Sequence, residues 1–299
     1  MNTGVPGAAQ ITIGMPVYNG AAHVRAAIDS LLAQTFRDFE LLISDNGSTD
    51  ATAAICEEYV RRDARVRYVR QPENRGATFN WNFVARQARS PYFKWAAGND
   101  ICPPYMLEHC LQELRAHPEF ALCYGNTAQI DDSGAVFGQQ ESDPEILDAS
   151  ACTRFVRVTN ELICNNAQSG LIRMSALRKT RLDREYLDGD MVLMAELALY
   201  GGFRKLEEVF LFRRLDRGSF SSLLPDAERQ RMLTARTSTR WPPVLRRHLD
   251  RVFTVCRASL PWREKRGALG YVLRSAYWDR TNIASGVRNS LFPPRVAQR

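Results

Sequence analysis

At 299 residues, with 45% hydrophobic and 24% charged side chains, the chain can bury a substantial core without disulfide or metal staples, and its composition excludes a disordered or collagen-like protein. The net charge of +7 is uneven: 21 Lys and Arg stand against 8 Asp and Glu between positions 204 and 299, a net of +13, which leaves −6 for residues 1–203. Seven cysteines without a CxxC pair, a start with neither a basic cluster nor a continuous apolar stretch, and no apolar run near the ~18 residues of a membrane span together predict a cytoplasmic protein with reduced thiols.

Strand-like and helix-like segments alternate through the first half. A strand is predicted over residues 11–15, stopped by Pro16, and Val24, Ala27, Ile28, Leu31 and Leu32 follow at helical spacing. A second strand over 39–44 meets the turn signal Asp45-Asn46-Gly47, and Ser48, Thr49 and Asp50 offer N-cap chemistry to a helix ending near Arg61. The same unit recurs as a strand over 66–69, a loop at Asn74-Arg75-Gly76 and a helix over 78–88, and then a fourth strand over 92–96 precedes Gly98-Asn99-Asp100. Such alternation implies parallel strands covered by helices, with ligands beyond the strands' carboxyl ends. Tyr18-Asn19, Asp45-Asn46, Asn74-Arg75 and Asn99-Asp100 are therefore expected along one edge.

After Pro103-Pro104 the pattern predicts a helix to about Ala116, a strand over 121–124 and a hairpin turning at Asp131-Asp132-Ser133-Gly134. The segment from there to Gln168 carries little periodicity; 165–174 reads as an irregular strand and 190–200 as a helix closed by Gly201-Gly202. Beyond Pro225 the chain is helical, basic and aromatic, interrupted at Trp241-Pro242-Pro243.

Three carboxylates stand out. Asp45, directly after a strand, suits either a base or ribose contact or an Asx-turn that caps the next helix. Asp100 suits a divalent ion bridging two phosphates, which needs only one or two carboxylates, or a helix cap. Asp190, at a helix start, is favoured there by the helix dipole, and functionally it would be a general base.

Taken together, Met15-Pro16-Val17-Tyr18-Asn19, Asp45-Asn46-Gly47-Ser48-Thr49-Asp50, Asn74 and Gly76 with Asn82 beyond, and Asn99-Asp100 before Pro103-Pro104 follow the order and spacing of one family. Over about residues 10–215 the chain resembles the family 2 glycosyltransferases, inverting enzymes with the fold called GT-A. The resemblance implies a nucleotide site lined by Pro16, Tyr18 and Asn19, with Asp45 on the base and Asn74 and Gly76 beside it. It also implies Asp100 on Mn²⁺ or Mg²⁺ and Asp190 as the base, with Asp188 as the alternative. Asn99 stands where relatives usually have an acidic residue near the ribose, so metal affinity is expected to be lower. Arg213-Arg214 with Ser219 or Ser221 match a later basic segment, in which Asp216 replaces a frequent histidine, and the resemblance implies that Arg213 or Arg214 binds the nucleotide sugar and offsets charge on its leaving diphosphate.

The fold expected is α/β of GT-A type: a mainly parallel sheet flanked by helices over 1–224, divided into a nucleotide-binding half (1–116) and an acceptor-side half (117–224), with a helical basic extension over 225–299. The activity implied is transfer from a nucleotide-diphosphate sugar, a UDP-sugar above all, to a hydroxyl of a saccharide or lipid-linked saccharide in cell-surface polysaccharide synthesis. The alternatives are a non-catalytic nucleotide-sugar-binding module and a nucleotidyltransferase; the latter lacks the Gly-rich, Lys-bearing first loop it would need. The aromatic group Trp81, Phe83, Tyr92, Phe93 and Trp95 reads mainly as core, with Trp95 close enough to Asp100 to face a sugar. The tail, where Arg246-Arg247, Arg263, Lys265-Arg266 and Arg274 alternate with Trp262, Tyr271, Tyr277 and Trp278, is either a solvated helical face or a peripheral contact with anionic lipid on the inner face of the cell membrane. No motif supports nucleic-acid binding.

Overall fold

The computed structural model describes residues 9–139, 143–215, 226–234 and 241–291. The first half is the alternating β-α run expected: β1 (Ile11–Val17), α1 (Val24–Leu32), β2 (Phe39–Asp45), α2 (Thr52–Arg62), β3 (Val66–Arg70), α3 (Ala77–Gln87), β4 (Tyr92–Trp95) and α4 (Met106–Ala116). These four strands lie parallel in the order β3-β2-β1-β4. Side chains alternate across the sheet. Ile11, Ile13, Met15, Leu41 and Ile43 meet Val24, Ile28, Leu107 and Leu111 on one face. On the other, Leu42, Phe93 and Trp95 meet Val84, which crowds Gly14 so closely that a Cβ there would lie 2.7 Å from it.

Pro16 does not end β1 as its missing N–H suggested. Gly14 O accepts from Ala96 N at 3.0 Å, and two residues on, Pro16 turns its nitrogen the same way, where β4 has already stopped at Trp95. No ladder bond is lost, so β1 reaches Val17.

The second half adds β5 (Phe120–Ile130), β6 (Val136–Gln139), α5 (Ala151–Glu161), a 3₁₀ turn (Asn166–Ser169), β7 (Leu171–Arg173), α6 (Met174–Leu177), α7 (Gly189–Ala198) and β8 (Gly202–Arg214). β7 runs antiparallel between β4 and β5, and β8 runs parallel along β5. The hairpin turns where expected, with Gly134 N bonded to Asp131 O at 3.0 Å. Three expectations change. The strand over 121–124 spans eleven residues, because both of its edges are paired. The weakly patterned segment contains α5, and 165–174 divides into the 3₁₀ turn and a three-residue strand. β8 was not expected at all.

α8 (Asp226–Thr234), α9 (Pro243–Arg257), α10 (Trp262–Trp278) and α11 (Arg280–Leu291) form the helical, basic C-terminal region. Val255, Ala258, Ala268 and Val272 join Phe155, Val158, Leu193 and Leu197 in one buried cluster, so α9 and α10 are held to α5 and α7 by shared apolar area. Among the described residues no helix is long and apolar enough to cross a membrane. The architecture is α/β, a mainly parallel eight-stranded sheet flanked by helices.

Candidate functional site

Because β1, β2, β3 and β4 are parallel, the loops after them open on one edge, and the polar clusters expected there do meet. Asp45 is fully buried; its Oδ1 accepts from Ser48 N at 2.8 Å and its Oδ2 from Tyr68 Oη at 2.7 Å. Asp45 thus turns the chain at Ser48, but α2 begins only at Thr52, so it does not cap that helix. Burial, followed by the bond to Asp45, pushes the Tyr68 hydroxyl above its usual range and keeps it a donor. Asn46 joins two loops, donating to Asn74 Oδ1 at 2.9 Å and to Gly76 O at 3.1 Å while accepting from Arg75 N at 3.1 Å. Asn19, with φ 48°, turns its Oδ1 to Thr49 N at 2.9 Å. Tyr18 beside it is 47% exposed, and Pro16 lies buried in the strand below. The N-cap chemistry falls to Asp50, whose Oδ1 accepts from Thr52 N at 3.0 Å.

Asp100 lies on the same edge. It is 9% exposed, its Oδ1 accepts from Arg214 N at 3.0 Å, and Arg214 Nε donates to Asn99 O at 3.1 Å, so the end of β8 braces the loop after β4. Arg214 is buried and also donates to Asp131 O, whereas Arg213 reaches towards Cys164 O at 3.5 Å. Burial raises the Asp100 carboxyl above the usual range, opposed by Arg213, the Arg214 N–H and Lys94. Lys94 is itself buried and donates to Trp95 O at 3.3 Å and to Ser169 O, joining β4 to the 3₁₀ turn. Trp95 is 1% exposed, edge-on to Phe93, and donates to Trp81 O at 3.0 Å; the strand's alternation turns it into the core.

Asp190 stands in the first turn of α7, half-buried. Its Oδ1 accepts from Met191 N at 2.9 Å and its Oδ2 from Asn165 Nδ2 at 2.8 Å. Burial raises its carboxyl; those two bonds oppose the rise and Asp188 adds to it. Asp188, the alternative, is more exposed and pairs with Arg247 at 3.0 Å. A carboxylate absent from the sequence reasoning, Asp183, lies close by and is pushed well up by burial and by Asp190. Asn82 of α3 clamps the Asp183 backbone with two bonds of 3.0 Å, one to its N–H and one to its carbonyl.

Sequence reasoning also missed Tyr68, Lys94 and Asn165. Asn165 has φ 50° and is buried; its Oδ1 and both amide atoms of Asn166 find no partner among the described residues. Each such buried atom costs about 1–3 kcal/mol. Asp143 fixes this segment by accepting from Cys164 N at 3.2 Å and Ala167 N at 3.0 Å. Cys164 O is also the group that Arg213 approaches, so the loop beside Asp190 and the arginine facing Asp100 meet. Asp216, Ser219 and Ser221 lie outside the described residues.

The sequence model for glycosyl transferase family 2 matches residues 12–180. The chain belongs to that family. It is 27% identical over 214 residues to chondroitin synthase of Escherichia coli, covering 72% of this chain and 29% of that protein. It is 31% identical over 133 residues to the uncharacterized glycosyltransferase EpsJ of Bacillus subtilis, covering 44% of this chain and 35% of the relative. The chain thus spans about a third or less of these relatives' length. Among solved structures it resembles Staphylococcus aureus TarS 1-349 in complex with UDP-GlcNAc, with a TM-score of 0.65, 15% identity, 96% of this chain and 76% of that one. It also resembles the mannosyltransferase PcManGT of Pyrobaculum calidifontis in complex with GDP-Man and Mn²⁺, with a TM-score of 0.54, 12% identity, 97% of this chain and 82% of that one. These likenesses show the GT-A fold.

For a family 2 chain the edge can be tested for a metal. No group of three or more His, Cys, Asp or Glu among the described residues could hold an ion. A phosphate-bridging Mg²⁺ or Mn²⁺ asks for only one or two carboxylates, with waters and phosphate oxygens completing the shell. Asp100 meets that requirement, and Asn99 adds a neutral amide at most. The donor set fits an ion that arrives with a diphosphate better than one bound beforehand.

Proposed function

We propose that this chain is an inverting glycosyltransferase that moves a sugar from a nucleotide-diphosphate sugar, a UDP-sugar above all, to a hydroxyl of a saccharide or lipid-linked saccharide in surface polysaccharide synthesis. One observation carries the reading: Asp190, half-buried and held by two donors, sits against a loop that Arg213, the arginine facing Asp100, also reaches, and Asp100 lies on the sheet edge that carries Asp45 and the Asn46 network. The chondroitin synthase relative and the neighbours solved with UDP-GlcNAc and GDP-Man support the donor and product classes.

In this reading the exposed Tyr18 ring and Asn19 flank the base and ribose, with Pro16 beneath them. Asp45, Asn74 and Gly76 complete the nucleoside pocket, and Asn99 meets the ribose. Asp100 would hold a Mn²⁺ or Mg²⁺ ion, which when bound supplies positive charge to the leaving diphosphate. Arg213 or Arg214, whose N–H already meets Asp100, adds cationic charge to the same oxygens. Asp190 accepts the proton of the acceptor hydroxyl as that oxygen attacks the anomeric carbon opposite the diphosphate. Asp190→Asn keeps the group's shape and removes its basicity. Donor affinity by titration calorimetry should stay within about twofold while transfer falls by roughly 10²–10⁴; undiminished turnover refutes the assignment.

The C-terminal helices support peripheral contact with the inner membrane face. On α10, Trp262, Leu273, Tyr277 and Trp278 are exposed beside Arg263, Arg266 and Arg274, the pairing of aromatic and cationic groups that suits an anionic interface. Deleting the region would strip the core that α9 and α10 share with α5 and α7, so surface substitutions test it better. Trp262→Ser with Trp278→Ser should abolish flotation with anionic vesicles; flotation equal to the parent chain refutes this contact.

A further inference from the structure

We propose that Asn165 is a positioning residue that holds and orients the Asp190 carboxylate for proton acceptance. The inference rests on the reading of Asp190 as the base and adds a residue to it. Asn165 stands 25 positions earlier in the chain, yet its Nδ2 donates both to Asp190 Oδ2 at 2.8 Å and to Gln168 Oε1 at 3.0 Å. With Met191 N on Oδ1 at 2.9 Å, each carboxylate oxygen has one donor, which fixes the plane of the group.

The price of this arrangement is visible in the backbone. Asn165 adopts φ 50°, and its Oδ1 and both polar atoms of Asn166 are buried without partners among the described residues. A segment serving stability alone would not retain a left-handed residue next to three orphaned polar atoms; such features gather where geometry is held for function. Asp143 locks the loop from beneath through Cys164 N and Ala167 N, so the amide is presented by a fixed frame.

The charged groups around Asp190 come from several elements. Asp183, in the loop before α7, and Asp188, at its N-cap, are carboxyl neighbours, the former pushed well up by burial and by Asp190; Arg184 lies beside Asp183, Arg247 of α9 neutralises Asp188, and Arg213 of β8 reaches the carbonyl preceding Asn165. Against burial and the Asp188 carboxylate, the Asn165 amide and the Met191 N–H favour the ionised base.

The test compares Asn165→Gly, which suits the left-handed backbone better than asparagine and removes only the amide, with Asn165→Asp, which keeps the shape and replaces the donor by a carboxylate. With a nucleotide-sugar donor and a saccharide acceptor, Asn165→Gly should lower kcat roughly tenfold at neutral pH with donor KM unchanged. It should also move the acidic limb of the kcat/KM profile to higher pH, and Asn165→Asp should move it further. Thermal melts confirm that each variant is folded. A limb that stays in place in both folded variants, or wild-type turnover in Asn165→Gly, overturns the proposal. Asp190→Asn run in parallel separates the two readings. If it is inactive and the limb does not move in the Asn165 variants, only the positioning role fails; if it retains turnover, the base assignment fails and takes this role with it.

Discussion

Gly189 opens α7 one residue before Asp190, and its missing side chain is a requirement of the site. A Cβ there would lie 2.7 Å from Asp183 Oδ1 and closer still to the Arg184 carbonyl oxygen, where ordinary contacts begin near 3.4 Å. Backbone strain is not the cause, since Gly189 is absent from the positive-φ residues; the crowding is purely steric. In Gly189→Ala either the 183–184 segment or the start of α7 must shift by about 1 Å. The segment resists, because Asn82 holds Asp183 with two 3.0 Å bonds and Arg184 pairs with the buried Glu196 at 2.9 Å. Overpacking of this kind costs about 1–3 kcal/mol, and loosening the Asn82 bonds adds about 1 kcal/mol, while alanine's helix propensity returns about 1 kcal/mol. The net is a loss of about 1–3 kcal/mol, a fall in Tm of roughly 2–6 °C. If α7 yields, Asp190 moves with it, and a displacement of about 1 Å can cost roughly 10² in kcat. Gly201→Ala is the control: its Cβ would meet Ala121 N and Glu119 O at 2.7 Å, a backbone clash somewhat milder than at Gly189 and on the strand edge at the other end of α7. Both variants should melt lower, and only Gly189→Ala should lose kcat per folded molecule in a transfer assay. Parent-like melting and turnover in Gly189→Ala would refute the packing argument.

Two further outcomes follow from the carboxylates. Burial and Asp190 raise the Asp183 carboxyl, so its folded-state pKa lies above the unfolded one; its contribution is favourable below the unfolded value and is lost as pH rises through the folded value. Asp183→Asn should therefore raise Tm at pH 7, by about 2 °C per kcal/mol gained, with the difference vanishing near pH 4; a constant offset across pH would contradict this origin. Asp100→Ala removes the one carboxylate proposed to meet a metal, and titration calorimetry with UDP-sugar should show that Mn²⁺ no longer strengthens donor binding. Continued enhancement by Mn²⁺ would locate the ion elsewhere.

The parts of the site legible in the sequence are those written by local signals. Asp45 and Asp100 each follow an apolar strand and precede a turn, and alternation of strands with helices was enough to bring Tyr18-Asn19, Asn46, Asn74 and Asn99 to one edge. β8 was illegible because Arg204, Lys205, Glu207 and Glu208 interrupt its apolar pattern; the structure neutralises Arg204 with Glu113 at 3.0 Å and Glu145 at 2.8 Å, partners 91 and 59 residues away. α5 was hidden for a related reason: Ala151, Phe155 and Val158 form a narrow buried stripe among Arg154, Arg157 and Thr153. Trp95 misled by adjacency, since closeness to Asp100 in the chain says nothing about the face a strand presents.

The surroundings of Asp190 were out of reach for a deeper reason. Its position before a helix closed by Gly201 is a local pattern, but its partner Asn165 comes from a left-handed turn 25 residues earlier, and the clamp on neighbouring Asp183 comes from Asn82, 101 residues earlier. Neither pairing leaves a periodic trace, because each uses one side chain from a loop or helix whose other residues serve packing. In the proposed role, a carboxylate kept ionised while half-buried beside Asp183 and Asp188 depends on such donors, and a fold that gathers α3, the 164–168 loop and α7 can supply them at one point. The sequence therefore points to the group proposed as the base, while the environment that would keep it ionised is a property of three segments brought together.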